Sequence, residues 1–262
     1  MADKPSEQHV ASLPFRWGAA SDVGKVRQEN QDVFLVEPEV GLFLVCDGMG
    51  GHRGGTIAAK TIADDLPPVI ENKLDMLRAR SPRAIRSLLR QTLAEQSRQL
   101  QMEGTSENGY KDMGATVVVA LLQTGRAYIA NLGDSRAYRY RTGQLRQITI
   151  DHSVVSELLA EGQIKPDEAE NHATQGQITR YVGMEEKAHP HVRSFGLKKG
   201  DRLLLCTDGL TDLIEDRQIA GVLQGSCDCQ AACKSLVEAA DAAGGTDNVT
   251  VVIVDWLGRR QE

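Results

Sequence analysis

Three β-rich runs, residues 116–122, 126–132 and 135–141, follow one another with only Thr124-Gly125 and Gly133-Asp134 as breaks. A parallel pair needs a crossover of roughly a dozen residues or more. These runs therefore read as an antiparallel meander. Residues 33–36 and 42–46 repeat the pattern around Glu37-Pro38-Glu39-Val40-Gly41, a hairpin turn. Residues 202–206 and 249–255 are two further strands. Helical periodicity lies elsewhere. Residues 56–66 form one expected helix, stopped by Pro67-Pro68. Ser81-Pro82 reads as N-cap and first helical position, ahead of the stripe Ile85, Leu88, Leu89, Leu93 and Leu100. A last helix is expected over residues 226–243, closed by Gly244-Gly245. Strands come in runs and helices in runs, which argues for an α+β fold with antiparallel sheets covered by helices.

A net charge of −6 gives no support to a broad nucleic-acid or anionic-membrane surface, both of which need dense Lys and Arg. No apolar run approaches the roughly 20 residues that span a bilayer, and residues 1–14 are polar, without a signal-peptide core, so they read as a loose arm. Five cysteines suit a reducing compartment. Cys229, Ala232, Cys233, Leu236, Val237 and Ala240 fall on one helical face, so these cysteines read as core rather than as metal ligands. One domain over residues 15–258 is expected, with a polar, irregular insertion at about 153–190. The expected location is the cytoplasm, and the expected state a monomer.

Three aspartates stand beside strands. Asp47 follows the run 42–46, Asp208 follows 202–206, and Asp247 precedes 249–255. If the third strand runs antiparallel to the others, all three carboxylates reach one rim. Crowded carboxylates repel and raise one another's pKa. A hard divalent cation relieves that repulsion, and oxygen-only ligation suits Mg²⁺ or Mn²⁺. Gly48, Gly209 and Gly244-Gly245 flank the three, and glycine lets backbone approach a ligand, which makes the Gly48 carbonyl a candidate ligand too. One Asp-Gly is an ordinary turn dipeptide; three abutting strands are not.

Seven blocks then occur in order: residues 21–24 with Arg27-Gln28-Glu29-Asn30-Gln31-Asp32; Asp47-Gly48-Met49-Gly50-Gly51-His52; Met113-Gly114-Ala115-Thr116; Gly133-Asp134-Ser135-Arg136; Asp151-His152-Ser153; Thr207-Asp208-Gly209-Leu210; and Gly245-Thr246-Asp247-Asn248. Together, over about residues 17–256, they resemble the metal-dependent protein phosphatases of type 2C in their bacterial form. The resemblance implies a sandwich of two antiparallel β-sheets between helices, in four α-β-β-α layers, with the site at one end. It implies that Asp47 bridges two ions, completed by Asp208 and Asp247, with the Gly48 carbonyl on the second ion and Asp32 holding water in an outer shell. Arg27 is expected on the phosphate, and His52 is the candidate general acid. Asp112 is the candidate for a third ion. Asp134 and Arg136 read as a structural turn and ion pair. The implied activity is hydrolysis of phosphoserine and phosphothreonine by a water that two ions of Mn²⁺ or Mg²⁺ activate. The implied partners are phosphorylated proteins and an opposing Ser/Thr kinase. A non-catalytic phosphoprotein-binding regulator of the same fold is the alternative. A hydrolase for nucleotides or small phosphoesters is the third reading.

Overall fold

The structure, a computed structural model, describes residues 13–49, 54–105, 113–169 and 172–258. The strands are β1 (Phe15–Asp22), β2 (Asp32–Glu37), β3 (Leu42–Met49), β4 (Gly114–Ala115), β5 (Val117–Gln123), β6 (Arg126–Leu132), β7 (Arg136–Arg141), β8 (Gln144–Gln147), β9 (His191–Gly196), β10 (Arg202–Cys206) and β11 (Val249–Trp256). The helices are α1 (Gly54–Asp75), α2 (Pro82–Gly104), α3 (Val154–Ala160), α4 (Pro166–Ala169), α5 (Asp208–Thr211), α6 (Asp216–Gly225) and α7 (Cys229–Ala242). One sheet has the order β1-β11-β10-β7-β8 and the other β2-β3-β5-β6-β9, with β4 beside β3. Every pairing is antiparallel.

Period-two alternation sorts the strand residues into layers. Phe43, Val45, Val118, Leu203, Leu205, Val252 and Val254 fill the space between the sheets. Leu42, Leu44, Val117 and Val119 face outward under Ile62, Leu66, Leu89 and Leu93 of α1 and α2. On the far side Leu204, Val251 and Ile253 pack under Cys229, Cys233 and Leu236 of α7. Strands buried on both faces read as unbroken apolar runs, which is why β3, β5, β10 and β11 stand out in the sequence. Each such side chain contributes roughly 1.5–3 kcal/mol by leaving water. The result is the expected α-β-β-α sandwich.

Four local expectations are corrected. Helix α1 does not stop at Pro67-Pro68 but runs through both to Asp75. The two prolines remove the donors for the Ala63 and Asp64 carbonyls, but Ile62, Leu66, Pro67, Ile70 and Leu74 keep one continuous face buried, and that burial outweighs the loss. The last helix begins at Cys229, capped by the Asp228 side chain, which accepts from Ala231 N–H at 2.7 Å. Ser226 instead closes the separate helix α6. The third run of the meander leaves its sheet: β7 pairs with β10 and β8, not with β6. The chain changes sheet at Gly133, whose φ is +105° and where a Cβ would lie 2.5 Å from the Thr116 Cβ. Finally, β3 extends past Cys46, so Asp47 lies inside the strand, directly opposite Asp32 of β2.

Candidate active site at the end of the sandwich

Asp47 comes from one sheet and Asp208 and Asp247 from the other, so the rim they share is the end of the sandwich rather than the edge of one sheet. The Asp47 N–H donates to Thr116 Oγ1 at 3.2 Å, and Thr116 N–H returns a bond to the Asp47 carbonyl at 2.8 Å. Asp208 opens α5 directly after Thr207. Thr207 Oγ1 donates to Asp32 Oδ2 at 2.9 Å and accepts from Thr250 N–H at 3.0 Å, tying β10 to β2 and β11 beneath the site.

The electrostatics are those of carboxylates forced together. Burial raises the Asp47 carboxyl well above its usual range, and repulsion from Asp208, Asp32, Asp134 and Asp247 adds to it. Asp208 is raised to about 6 by burial and then by Asp212 and Asp247, against a hydrogen bond with the Asp47 carboxyl that works the other way. Asp32 is raised to about 7, chiefly by burial, and its Oδ1 is buried without a hydrogen-bond partner. Asp247 instead meets a cation: Arg27 Nη2 donates to Asp247 Oδ2 at 2.7 Å. That bond is the main reason the Arg27 guanidinium holds its proton more tightly than usual, with Asp47 and Asp208 contributing through space. Among the described residues no three acidic side chains stand at metal-ligand spacing around one point.

Gly48 is needed for close approach. A Cβ there would lie 2.2 Å from the Gly55 carbonyl oxygen, so the strand end and the start of α1 touch backbone to backbone. A cavity of about 470 Å³ opens over the site, lined by Arg27, Asp47, Gly48 and Asp247 together with Met49, Ile178 and Tyr181. Ile178 and Tyr181 belong to the polar segment between Ser153 and Pro190, so part of that segment overhangs the site.

Two residues gain roles that the sequence reading did not give them. Asp134 sits in the expected turn between β6 and β7 but does not pair with Arg136, which pairs with Asp151 at 2.7 Å. Burial and then Asp208 raise the Asp134 carboxyl to about 8, and its Oδ1 is buried without a partner. The sheet change at Gly133 delivers it there, and the meander reading concealed that. Asn248 is buried, donates to the Val23 and Glu29 carbonyls at 3.0 Å each, and accepts from Gln31 N–H at 2.8 Å. It therefore pins the loop that carries Arg27. Its place beside Asp247 was visible in the sequence, but its bonds run to residues more than 200 positions away. His52 and Asp112 lie outside the described residues.

Comparison with known proteins shows the family and the fold. A family model described as Protein phosphatase 2C matches residues 24–246. The serine/threonine phosphatase stp of Listeria welshimeri is 33% identical over 90% of this chain and 93% of its own length. The structure of the S. agalactiae serine/threonine phosphatase is 31% identical, covers 92% of this chain and 99% of that one, and superposes with a TM-score of 0.84. The catalytic domain of the protein phosphatase PstP in complex with two manganese ions is 32% identical over 92% of this chain and 97% of that one, with a TM-score of 0.72.

Proposed function

This chain belongs to the protein phosphatase 2C family, and on that premise we propose that it is a protein serine/threonine phosphatase that works with Mn²⁺ or Mg²⁺. The observation that carries the reading is the buried contact between the Asp47 and Asp208 carboxyls, with Arg27 facing the same cavity. The donors suit such ions: they are oxygen-only, mutually repelling, and include the unpartnered buried oxygens of Asp32 and Asp134. Asp47, Asp208, Asp247 and the Gly48 carbonyl would hold two ions, with Asp32 bonding water in the outer shell. Asp134, whose carboxyl Asp208 repels, is a candidate carboxylate for a third. When bound, the ions lower the pKa of a water and offset charge on the phosphoryl group.

The chain's own residues do the rest. Arg27 offers a planar fork that matches two phosphoryl oxygens, and Asn248 holds its loop in place. Met49, Ile178 and Tyr181 shield the reacting phosphate from bulk water. The substrates in this reading are phosphorylated proteins, and the enzyme opposes a Ser/Thr protein kinase in the cytoplasm, acting as a monomer. Absence of a membrane-crossing helix among the described residues is compatible with that place.

The test is direct. Protein loaded with Mn²⁺ should release phosphate from a phosphothreonine peptide, and EDTA should stop it. Asp208→Asn should lose at least about 100-fold in rate, in line with removal of one strong electrostatic group, while circular dichroism stays that of the wild type. Full activity with unchanged metal stoichiometry in that variant would remove Asp208 from the site.

A further inference from the structure

Arginines gather on one flank of a chain whose net charge is −6. On α2, Arg83, Arg86 and Arg90 are spaced i, i+3, i+7 and share a face. Arg86 Nη1 donates to Ser194 Oγ at 2.9 Å, which lays that face along β9. At the head of β9, burial lowers the His191 pKa, and the charges of Arg193 and Arg90 lower it further. On the other face of β9 the Arg139 guanidinium sits 5.2 Å above the Phe195 ring. Arg139 is also the cross-strand partner of Arg146, and like charges directly opposite one another repel. Asp201, which Arg141 grips through two nitrogens at 2.5 and 2.6 Å, offsets that repulsion only in part, and the Arg139 pKa stays lowered. Among the described residues Arg83, Arg90, Arg146 and Arg193 have no ion-pair partner. β9 itself is the outermost strand of its sheet, so its outer side presents backbone N–H and C=O groups with no strand beside them.

We propose that the free edge of β9 is a docking site for an extended acidic segment of a phosphoprotein partner, added as a further strand with its side chains among the arginines on both faces. Side chains of an added strand alternate between the two faces. Acidic residues at successive positions would meet Arg86 and Arg90 on one face and Arg139 and Arg146 on the other. Main-chain pairing at a sheet edge is an established way for a domain to capture a peptide. A nucleic acid has no amide backbone to pair with that edge, and one phosphate backbone cannot face cations on both sides of a strand. The site-proximal end is set by His191, whose Nδ1 lies 3.3 Å from Asn131 Oδ1. Asn131 in turn donates to the Gly133 carbonyl beside Asp134 at 3.2 Å. A segment lying along β9 therefore runs away from the catalytic end, and a phosphorylated residue beyond its end is within the same neighbourhood. The contrary expectation is that the charges only keep an edge strand from pairing with other copies of the chain; in that case acidic peptides do not bind.

The docking surface rests on the phosphatase reading only for the nature of the partner, and its binding is measurable without turnover. The probe is a fluorescently labelled Glu/Asp-rich peptide without phosphate, followed by anisotropy. Reversing two exposed charges, Arg90→Glu with Arg146→Glu, should weaken binding by about tenfold or more and flatten its salt dependence. On a phosphothreonine peptide that carries the acidic segment, KM should rise by a similar factor. Rates on nitrophenyl phosphate and on the same peptide without the segment should not move. A second pair, Arg83→Glu with Arg193→Glu, should repeat the loss and guards against a misfolded first variant. Equal peptide affinity in wild type and both variants overturns the proposal, as does tighter retention of a DNA oligonucleotide than of the acidic peptide. Failure of the wild type to hydrolyse nitrophenyl phosphate with Mn²⁺ would instead overturn the phosphatase reading, and the anisotropy would still decide the docking site.

Discussion

Replacing Gly48 by Ala is the sharpest perturbation of the site that leaves every candidate ligand atom in the chain. Gly48 is not in the left-handed region, so alanine brings no conformational strain of its own. The damage is steric. The new Cβ would lie 2.2 Å from the Gly55 carbonyl oxygen, 2.4 Å from the Gly55 carbonyl carbon and 3.0 Å from the Gln31 carbonyl oxygen. Ordinary contact is roughly 3.5 Å, so the strand and the first turn of α1 must part by about 1 Å, and all three neighbours are backbone with no rotamer to yield. Overpacking of this kind costs about 1–3 kcal/mol, and the upper half of that range applies here. For a chain of this length, about 2–3 kcal/mol lowers Tm by about 4–12 °C. The same displacement moves the Gly48 carbonyl and Asp47, and a shift of about 1 Å can cost on the order of 100-fold in rate. Differential scanning calorimetry in EDTA reads the stability term, and Mn²⁺ titration calorimetry with nitrophenyl phosphate kinetics reads the site. Gly221→Ala on the exposed face of α6, where a Cβ meets nothing within 4 Å, is the control and should be neutral or slightly stabilising. Wild-type Tm, Mn²⁺ affinity and rate in Gly48→Ala would refute the claim that backbone contact between β3 and α1 shapes the site.

Other expectations follow from the same geometry. Asn248→Ala removes three hydrogen bonds to the Arg27 loop; at about 1 kcal/mol each it should cost about 3 kcal/mol and raise KM more than it lowers kcat, as steady-state kinetics will show. Thr207→Val strips the donor from Asp32 and the acceptor from Thr250 N–H, so a loss of about 2–3 kcal/mol is expected in urea denaturation; an unchanged midpoint would contradict it. In EDTA the folded-state carboxyls of Asp208, Asp32 and Asp134 titrate at about 6, 7 and 8, above their unfolded values. The folded state then holds more protons than the unfolded one, so stability is fullest below about pH 4 on this account and falls as pH rises toward 8. Thermal melts at pH 5 and pH 8 should show the decline, and added Mn²⁺ should flatten it; a rise in Tm from pH 5 to 8 in EDTA would contradict the raised values.

Much of the architecture was legible because doubly buried strands write themselves as short apolar runs. β3, β5, β10 and β11 were all visible, as was the buried face of α7 through Cys229, Cys233 and Leu236. β1 and β9 were not, since Phe15–Asp22 and His191–Gly196 mix small, polar and charged residues at the rims of the sheets. Pro67-Pro68 misled because local helix rules weigh a missing N–H but not the sheet beneath Leu66 and Ile70. Asp134 escaped for a related reason. Whether a turn keeps a chain in its sheet or carries it to the opposite one depends on what lies across the core, and nothing within a few residues of Gly133 states that.

The sequence by itself determined the chemistry: three aspartates beside strands, a glycine directly after Asp47 and Asp208 and a glycine pair just ahead of Asp247, and an arginine ahead of Asp32. Those are properties of residue type and order. The tertiary structure alone decided which carboxyls meet. Asp32 faces Asp47 through strand register, Asp208 reaches Asp47 across the gap between two sheets, and Asp134 arrives only because β7 changes sheet. The raised carboxyl pKa values follow from burial and proximity together, and both depend on how distant segments pack.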